Sequence, residues 1–311
     1  KSDYIHALKP SLKLDYERSE LNYLSLSSSV HIIRYEDLSD NNSEEYNLGL
    51  QGRYTSPQGF YVKLEDNYLN TEDRYSNMNN YRIGDPRVKR WQNTAGLSLG
   101  YEAHKWTSEF KYTNYLLDYD HFRDQWQDRQ DNHYQFRATY RILPKTSVLF
   151  IYKLQDQTYI NQDNTADNNQ GINSQTSQNN KYHQLYTGLA FSPSAKINGE
   201  IRLGAGRKDY ENKVNWNGKK YNEDWSLAAE TRLVYNFSAK TRFRGQIYRS
   251  EYESTQAEAA SYTSTRLGLG MTKIIGQRFT LDADIAYTLE DYKTGAGFPG
   301  REDELYDLSC N

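Results

Sequence analysis

The sequence predicts an all-β fold: a transmembrane antiparallel up-and-down β-barrel, with about 14 strands visible here of about 16–18. Three observations predict it. Apolar and aromatic residues recur at every second position through most of the 311 residues, which is the side-chain period of a strand. The chain is rich in strand-forming aromatics (29 Tyr, 10 Phe, 5 Trp), yet only 36% of it is hydrophobic and its mean hydropathy is −0.98. Finally, the connections between alternating segments are short and long by turns.

Composition narrows the class further. Low hydrophobicity is a mark of disorder, but this density of aromatics is not, and only six Pro interrupt the chain. The net charge of −3, with both signs interspersed, provides no basic stripe for nucleic acid. The single cysteine, Cys310, has no partner for an internal disulfide or a metal site and reads as an ordinary strand or turn residue. No segment approaches the ~18 consecutive apolar residues of a membrane helix, but barrel strands carry a much weaker hydropathy signal.

The alternating segments follow in order. Pro10, Leu12, Leu14 and Tyr16 alternate with Ser11, Lys13 and Asp15, and Leu24, Leu26, Val30 and Ile32 follow a short turn. Tyr46, Leu48, Leu50 and Tyr54 lead into a turn at 56–59, then Phe60, Val62, Leu64 and Tyr68. Ala95, Leu97, Leu99 and Tyr101 precede a turn at 103–105, and Trp106, Phe110, Tyr112 and Leu116 leave it. Tyr134, Phe136, Ala138, Tyr140 and Ile142 meet the turn at 144–146 and continue as Val148, Phe150, Tyr152 and Leu154. Leu185, Leu189 and Phe191 turn at 192–196 into Ile197, Ile201, Leu203 and Ala205. Leu233, Tyr235 and Phe237 turn at 238–241 into Phe243, Gly245 and Ile247. Thr265, Leu267, Leu269 and Met271 turn near 275–277 into Phe279, Leu281, Ala283, Ile285, Tyr287 and Leu289. The strands so marked run to roughly 9 to 13 residues, and helical periodicity is nowhere sustained.

Between the hairpins lie longer polar segments near 36–45, 70–90, 119–131, 156–181, 207–224, 250–262 and 290–303, of which 161–180 is nearly low-complexity. A β-sandwich mixes its connection lengths. Strict short–long alternation fits a meander whose two rims face different surroundings, as in outer-membrane barrels with short periplasmic turns and long external loops. Such a chain needs no conventional core, because lipid covers the apolar face and the charged face lines a wet interior. Tyr101, Trp106, Tyr119, Tyr134, Trp225 and Tyr287, near strand ends, suit the aromatic girdles at the two membrane interfaces. An even strand number with both ends in the periplasm calls for a strand before Lys1, and residues 301–311 read as the start of another. The expectation is one barrel domain over 1–311, truncated at both ends, in the bacterial outer membrane.

The stretch KSDYIHALKPSLKLDYE resembles an early strand of the putative β-barrel porin 2 family. LGAGRKDYENK, WSLAAETRLVYNFSAKTRFRGQIYRSEYES, YTSTRLGLGMTKIIGQRFTLDADIAYTLEDYK and REDELYDLS resemble its later half. The resemblance implies an outer-membrane barrel, often associated with exopolysaccharide or capsule export, with about three strands after the loop at 290–303 and about 18 in all.

No catalytic constellation emerges, and the chain is expected not to be an enzyme. The six His, at 6, 31, 104, 121, 133 and 183, form no metal-binding pair, so no metal or other cofactor is expected. Gly204, Gly206, Gly268 and Gly270 lie within strands and read as strand glycines rather than phosphate cradles. Glu302, Asp303 and Glu304 read as a solvated acidic loop. The charges of the polar face remain: Lys13 with Asp15, Glu109 with Lys111, and the pore-lining candidates Arg137, Arg141, Glu200, Arg202, Glu230, Arg232, Arg242, Arg244, Arg266, Asp282 and Asp284. They either pair across strands or present a mixed-charge surface to polar solutes.

The sequence thus supports a passive outer-membrane conduit, for export of a polysaccharide or diffusion of polar solutes. Two alternatives stay open: a barrel sheath around a partner such as a haem electron-transfer protein, and an extracellular β-rich binding or adhesive protein. The partners expected are outer-membrane lipid and lipopolysaccharide, together with periplasmic polysaccharide-export components or a lumen-filling protein, and no nucleic acid.

Overall fold

The computed structural model describes residues 4–37, 39, 42–73, 88–120, 125–161, 178–194, 196–212, 223–253, 259–276, 279–294 and 300–310. Strands β1 (Ile5–Leu8), β2 (Ser11–Ser19), β3 (Asn22–Tyr35), β4 (Ser43–Thr55), β5 (Phe60–Asp73) and β6 (Val88–Glu102) open the chain. Next come β7 (Trp106–Tyr119), β8 (Arg129–Leu143), β9 (Thr146–Tyr159), β10 (Asn180–Phe191) and β11 (Ile197–Tyr210). The last are β12 (Ser226–Ser238), β13 (Thr241–Glu253), β14 (Ala259–Ile275), β15 (Phe279–Thr294) and β16 (Arg301–Cys310). They form one 16-stranded sheet in sequence order from β3 to β16, an up-and-down meander, with β1 and β2 both pairing β3 at one end of the order. Among the described residues there is no α-helix, and a 3-10 turn spans Gln125–Gln127.

The expected hairpin strands correspond to β2–β15, and the segment from 301 is strand β16. β1 and β2 are one strand in two pieces, Ile5–Leu8 against Ile32–Tyr35 and Ser11–Glu17 against Tyr23–Ser29. Pro10 at the break has no N–H to give the ladder, though its carbonyl still accepts the Val30 N–H at 3.0 Å. Most strands are longer than expected, β14 reaching 17 residues and β15 reaching 16. Alternating hydrophobicity marks only part of each strand, and backbone pairing continues past it. Glu302, Asp303 and Glu304 accordingly lie within β16 rather than in a loop, and Arg301 holds Asp303 through Nε at 2.9 Å. The polar segment 161–180 lies mostly outside the described residues, as does His121.

The short turns are closed by local chemistry. Between β12 and β13, Ser238 pairs with Thr241 and the Ser238 hydroxyl accepts the Lys240 N–H at 3.2 Å. Between β4 and β5, Gly59 takes φ +91, a region that disfavours any side chain. A Cβ there would also stand 2.2 Å from the Glu102 carbonyl oxygen.

The chain forms two compact units: residues 1–102, 109–134 and 155–179, and residues 103–108, 135–154 and 180–311. In each, alternate side chains form an apolar and a polar face. The apolar face is uncovered by protein: Leu64 of the first unit is 50% exposed, and Leu227 and Leu269 of the second are 61% and 67% exposed. Soluble proteins rarely leave such contiguous surface open. The fully buried apolar cluster of the second unit, Leu149, Ile151, Tyr186 and Ala228, lies instead among polar-face positions, beside Lys153 and Glu230.

Candidate functional site

The polar face of the second unit is ordered by strand register. Antiparallel pairing of β11 and β12 sets Glu200 opposite Arg232 and Arg202 opposite Glu230. The side chains cross this register to build a ladder of alternating charge. Arg137 donates through Nη2 to Glu200 at 3.0 Å, and Arg202 donates through Nε to the other oxygen of Glu200. Arg202 also donates to Glu230, and Lys153 donates to the second Glu230 oxygen, each at 2.5 Å. Three cations and two carboxylates are thus joined through β8, β9, β11 and β12. Lys153 Nζ stands 5.0 Å from the centre of the Tyr186 ring, so the ladder borders the buried cluster.

A second network spans β13–β15. Arg244 donates through Nη2 to both oxygens of Asp284 at 3.0 and 3.1 Å and through Nη1 to Thr272 at 2.8 Å. The Thr272 hydroxyl donates to Asp282 at 2.5 Å. Arg244 and Asp284 belong to strands either side of β14 and meet over Gly270, where a Cβ would lie 2.1 Å from Asp284 Oδ1. Arg266 donates to Thr288 at 3.1 Å and to Asp307 of β16 at 2.8 Å. Arg141, Arg232 and Arg242 behave differently: among the described residues none has a carboxylate at ion-pair distance, and Arg242 donates only to the Asn236 side chain, at 3.1 Å.

In the first unit most cations of the strands are matched. Lys63 and the Tyr61 hydroxyl both donate to Glu109, at 2.6 and 2.7 Å, Lys111 pairs with Glu65, and Lys13 lies 2.9 Å from Asp15. Among the described residues no group of His, Cys, Asp and Glu is placed to hold a metal ion.

The aromatic positions sort by face. Tyr101 packs on Phe60 at 4.6 Å, Trp106 on Tyr140 at 4.7 Å, Tyr134 on Tyr112 at 5.2 Å and Tyr287 on Tyr306 at 5.2 Å. Trp225, just before β12, is exposed. Tyr119 departs from the girdle expectation: it is 4% exposed, and its odd spacing from Trp106 puts it on the polar face. Its N–H donates to Asp128 at 2.7 Å, and Asn161 donates to the other carboxylate oxygen at 2.6 Å. Asp128, between β7 and β8, is 2% exposed; burial pushes its carboxyl up to about 6 against the pull of those two hydrogen bonds. Sequence reasoning missed Asp128, Lys153 and the inward Leu149 and Ile151. The continuous apolar run from Val148 to Tyr152 carried the only signal of the last two.

The sequence profile of the family described as putative β-barrel porin 2 matches residues 1–311. The chain belongs to that family. No curated protein sequence matches it. Among solved structures it is similar to the ferric enterobactin receptor PfeA of Pseudomonas aeruginosa, with 11% identity and a TM-score of 0.54 over 92% of this chain and 50% of that one. It is similar to the FrpB iron transporter of Neisseria meningitidis, with 9% identity and a TM-score of 0.53 over 93% and 53%. It is also similar to the siderophore receptor PirA of Pseudomonas aeruginosa, with 9% identity and a TM-score of 0.52 over 98% and 57%. This porin-family chain therefore spans about half the length of those structures, and at such identities the likeness is one of fold. It is a β-barrel protein of the bacterial outer membrane.

In outer-membrane barrels generally, lipid meets the apolar face and water the polar one. The aromatic pairs Phe60–Tyr101 and Tyr68–Trp91 lie at two levels on β5 and β6. Trp91 to Tyr101 is about 33 Å of strand at ~3.3 Å per residue, or about 25 Å of depth at a ~40° tilt. That depth equals the ~25 Å apolar band of an outer-membrane barrel.

Proposed function

We propose that residues 1–311 are part of a single barrel domain that serves as a passive, non-enzymatic conduit across the outer membrane. It carries polar solutes by diffusion or a polysaccharide on its way out. The observation that supports this reading is the polar face of the second unit, where Arg137, Glu200, Arg202, Glu230 and Lys153 are locked to one another. Charges held this way form a fixed wall rather than a reactive centre, and a wall of mixed charge favours hydrated solutes over apolar ones. Outer-membrane lipid and lipopolysaccharide cover the opposite face, where Leu227 and Leu269 stand exposed.

The test is single-channel conductance of the full-length protein in a planar bilayer. A large, steady conductance supports the conduit. A folded, heat-modifiable barrel that passes no current contradicts it and favours a sheath around a lumen-filling partner.

A further inference from the structure

We infer that the short-turn mouth of the second unit is an anion-binding site, and that the conduit's substrate is a polyanion bearing carboxylate, sulfate or phosphate groups. The inference deepens the conduit reading and rests on it for its biological meaning. It begins in the sequence. The hairpin segments 135–154, 180–199, 231–250 and 265–281 contain not one Asp or Glu. Four cations of these hairpins find carboxylates elsewhere: Arg137 and Lys153 in the ladder, Arg244 at Asp284, and Arg266 at Asp307.

Six others do not. Arg141, Lys145, Lys196, Arg232, Lys240 and Arg242 are exposed and, among the described residues, lack any carboxylate at ion-pair distance. Lys145 reaches only the Pro193 carbonyl, at 3.4 Å. At the same end of the first unit Arg53 pairs with Glu102 at 3.7 Å and Lys63 with Glu109, while Arg18, in no ion pair among the described residues, stands between Glu17 and Glu20 in sequence. A lack of nearby carboxylates therefore marks these four hairpins rather than short turns in general.

All of these but Arg141 also line concave surface. A cavity of about 440 Å³ is bounded by Lys145 and Arg232 with Ser192 and Asn198. One of about 550 Å³ is bounded by Lys196, Lys240 and Arg242 with Asn236 and Thr241. Glu200 is the single carboxylate on either lining, and Arg137 and Arg202 already hold it. Each cavity thus offers two or three cations flanked by neutral hydrogen-bonding groups, a setting that concentrates anions.

Phospholipid headgroups are anionic as well, but they meet the apolar face and the turns. Arg141 shares the parity of Arg137, Arg232 that of Glu230, and Arg242 that of Arg244, so all three belong to the polar face. The polar-face arginines therefore decide for a solute in the lumen.

The experiment uses the full-length protein in two measurements. In planar bilayers under a salt gradient, the reversal potential is expected to show several-fold preference for chloride over potassium. The triple variant R141E/R232E/R242E is expected to reverse that preference. In detergent, polygalacturonate is expected to bind, neutral dextran not to bind, and the triple variant to lose at least about tenfold in affinity, with added salt weakening the wild type. Heat-modifiability checks folding, and R141Q/R232Q/R242Q replaces the reversal variant where that one fails to fold. A current with no anion preference and no polygalacturonate binding overturns the inference while leaving the conduit intact. Arginine-dependent binding in a barrel that passes no current sustains the site and sinks the conduit. Loss of binding only in K145E/K196E/K240E overturns it in favour of headgroup contacts.

Discussion

Replacing Leu233 by arginine puts a guanidinium on the apolar face of β12, next to a position where arginine is native. Leu233 lies four residues from Phe237, an exposed aromatic at the short-turn end of the strand. That is about 13 Å along the strand and about 10 Å in depth at a ~40° tilt, close to the middle of a ~25 Å band. A mid-bilayer arginine on a barrel costs about 2–4 kcal/mol, and a side chain able to reach toward the interface falls in the lower half of that range. Arg232→Leu is the control. Arg232 is exposed on the polar face and has no carboxylate partner among the described residues, so its loss should cost about 0.5 kcal/mol or less. The assay is reversible guanidinium unfolding in phospholipid vesicles, followed by tryptophan emission. Leu233→Arg should be the less stable by about 2 kcal/mol or more. Two variants within about 0.5 kcal/mol of each other, or Arg232→Leu as the costlier, would refute the assignment of faces.

Glu230→Gln removes the one carboxylate that Lys153 is seen to hold and half of what holds Arg202. With these side chains 16–26% exposed, the loss should fall between exposed and buried pairs, about 2 kcal/mol in the same unfolding assay, and a change under about 0.5 would count against the ladder. Gly59→Ala should cost about 2 kcal/mol, from its positive φ and the Glu102 carbonyl above it; Gly276→Ala, with φ +66 and open space, should cost about 1. Asp128 has a folded-state pKa of about 6, above its unfolded value, so the folded state binds the extra proton. Stability of the β7–β8 connection should therefore fall as pH rises from about 4 to 6 and then level off, by at most about 3 kcal/mol. Hydrogen exchange at the Tyr119 amide reads this out, and Asp128→Asn should flatten the profile.

Much of the fold was legible because lipid imposes a strict rule on one face of each strand. Leu12, Leu14 and Tyr16 or Phe243 and Ile247 could be placed by period alone, and every short turn fell where alternation broke. The strand ends were illegible for the same reason: beyond the lipid, residues such as Lys89 and Arg90 of β6 continue the ladder with no hydrophobic mark. The polar face was legible in content but not in pairing. Arg137 and Glu200 are 63 residues apart and meet only because intervening strands bring them together. Arg232 and Arg202 look alike in sequence, yet among the described residues the first has no carboxylate partner and the second has two. Tyr119 was misplaced because strand-end position was weighed without its parity.

The central claim is that one face of these strands meets lipid and the other water. Single-cysteine spin labels at 227–237 along β12, in Cys310→Ser protein reconstituted in vesicles, test it directly through collision with oxygen and with a water-soluble nickel chelate. Odd positions, including Leu227, Leu233 and Tyr235, should favour oxygen, and even positions, including Glu230 and Arg232, should favour the chelate. Equal accessibility at neighbouring positions, or a period other than two, would contradict it.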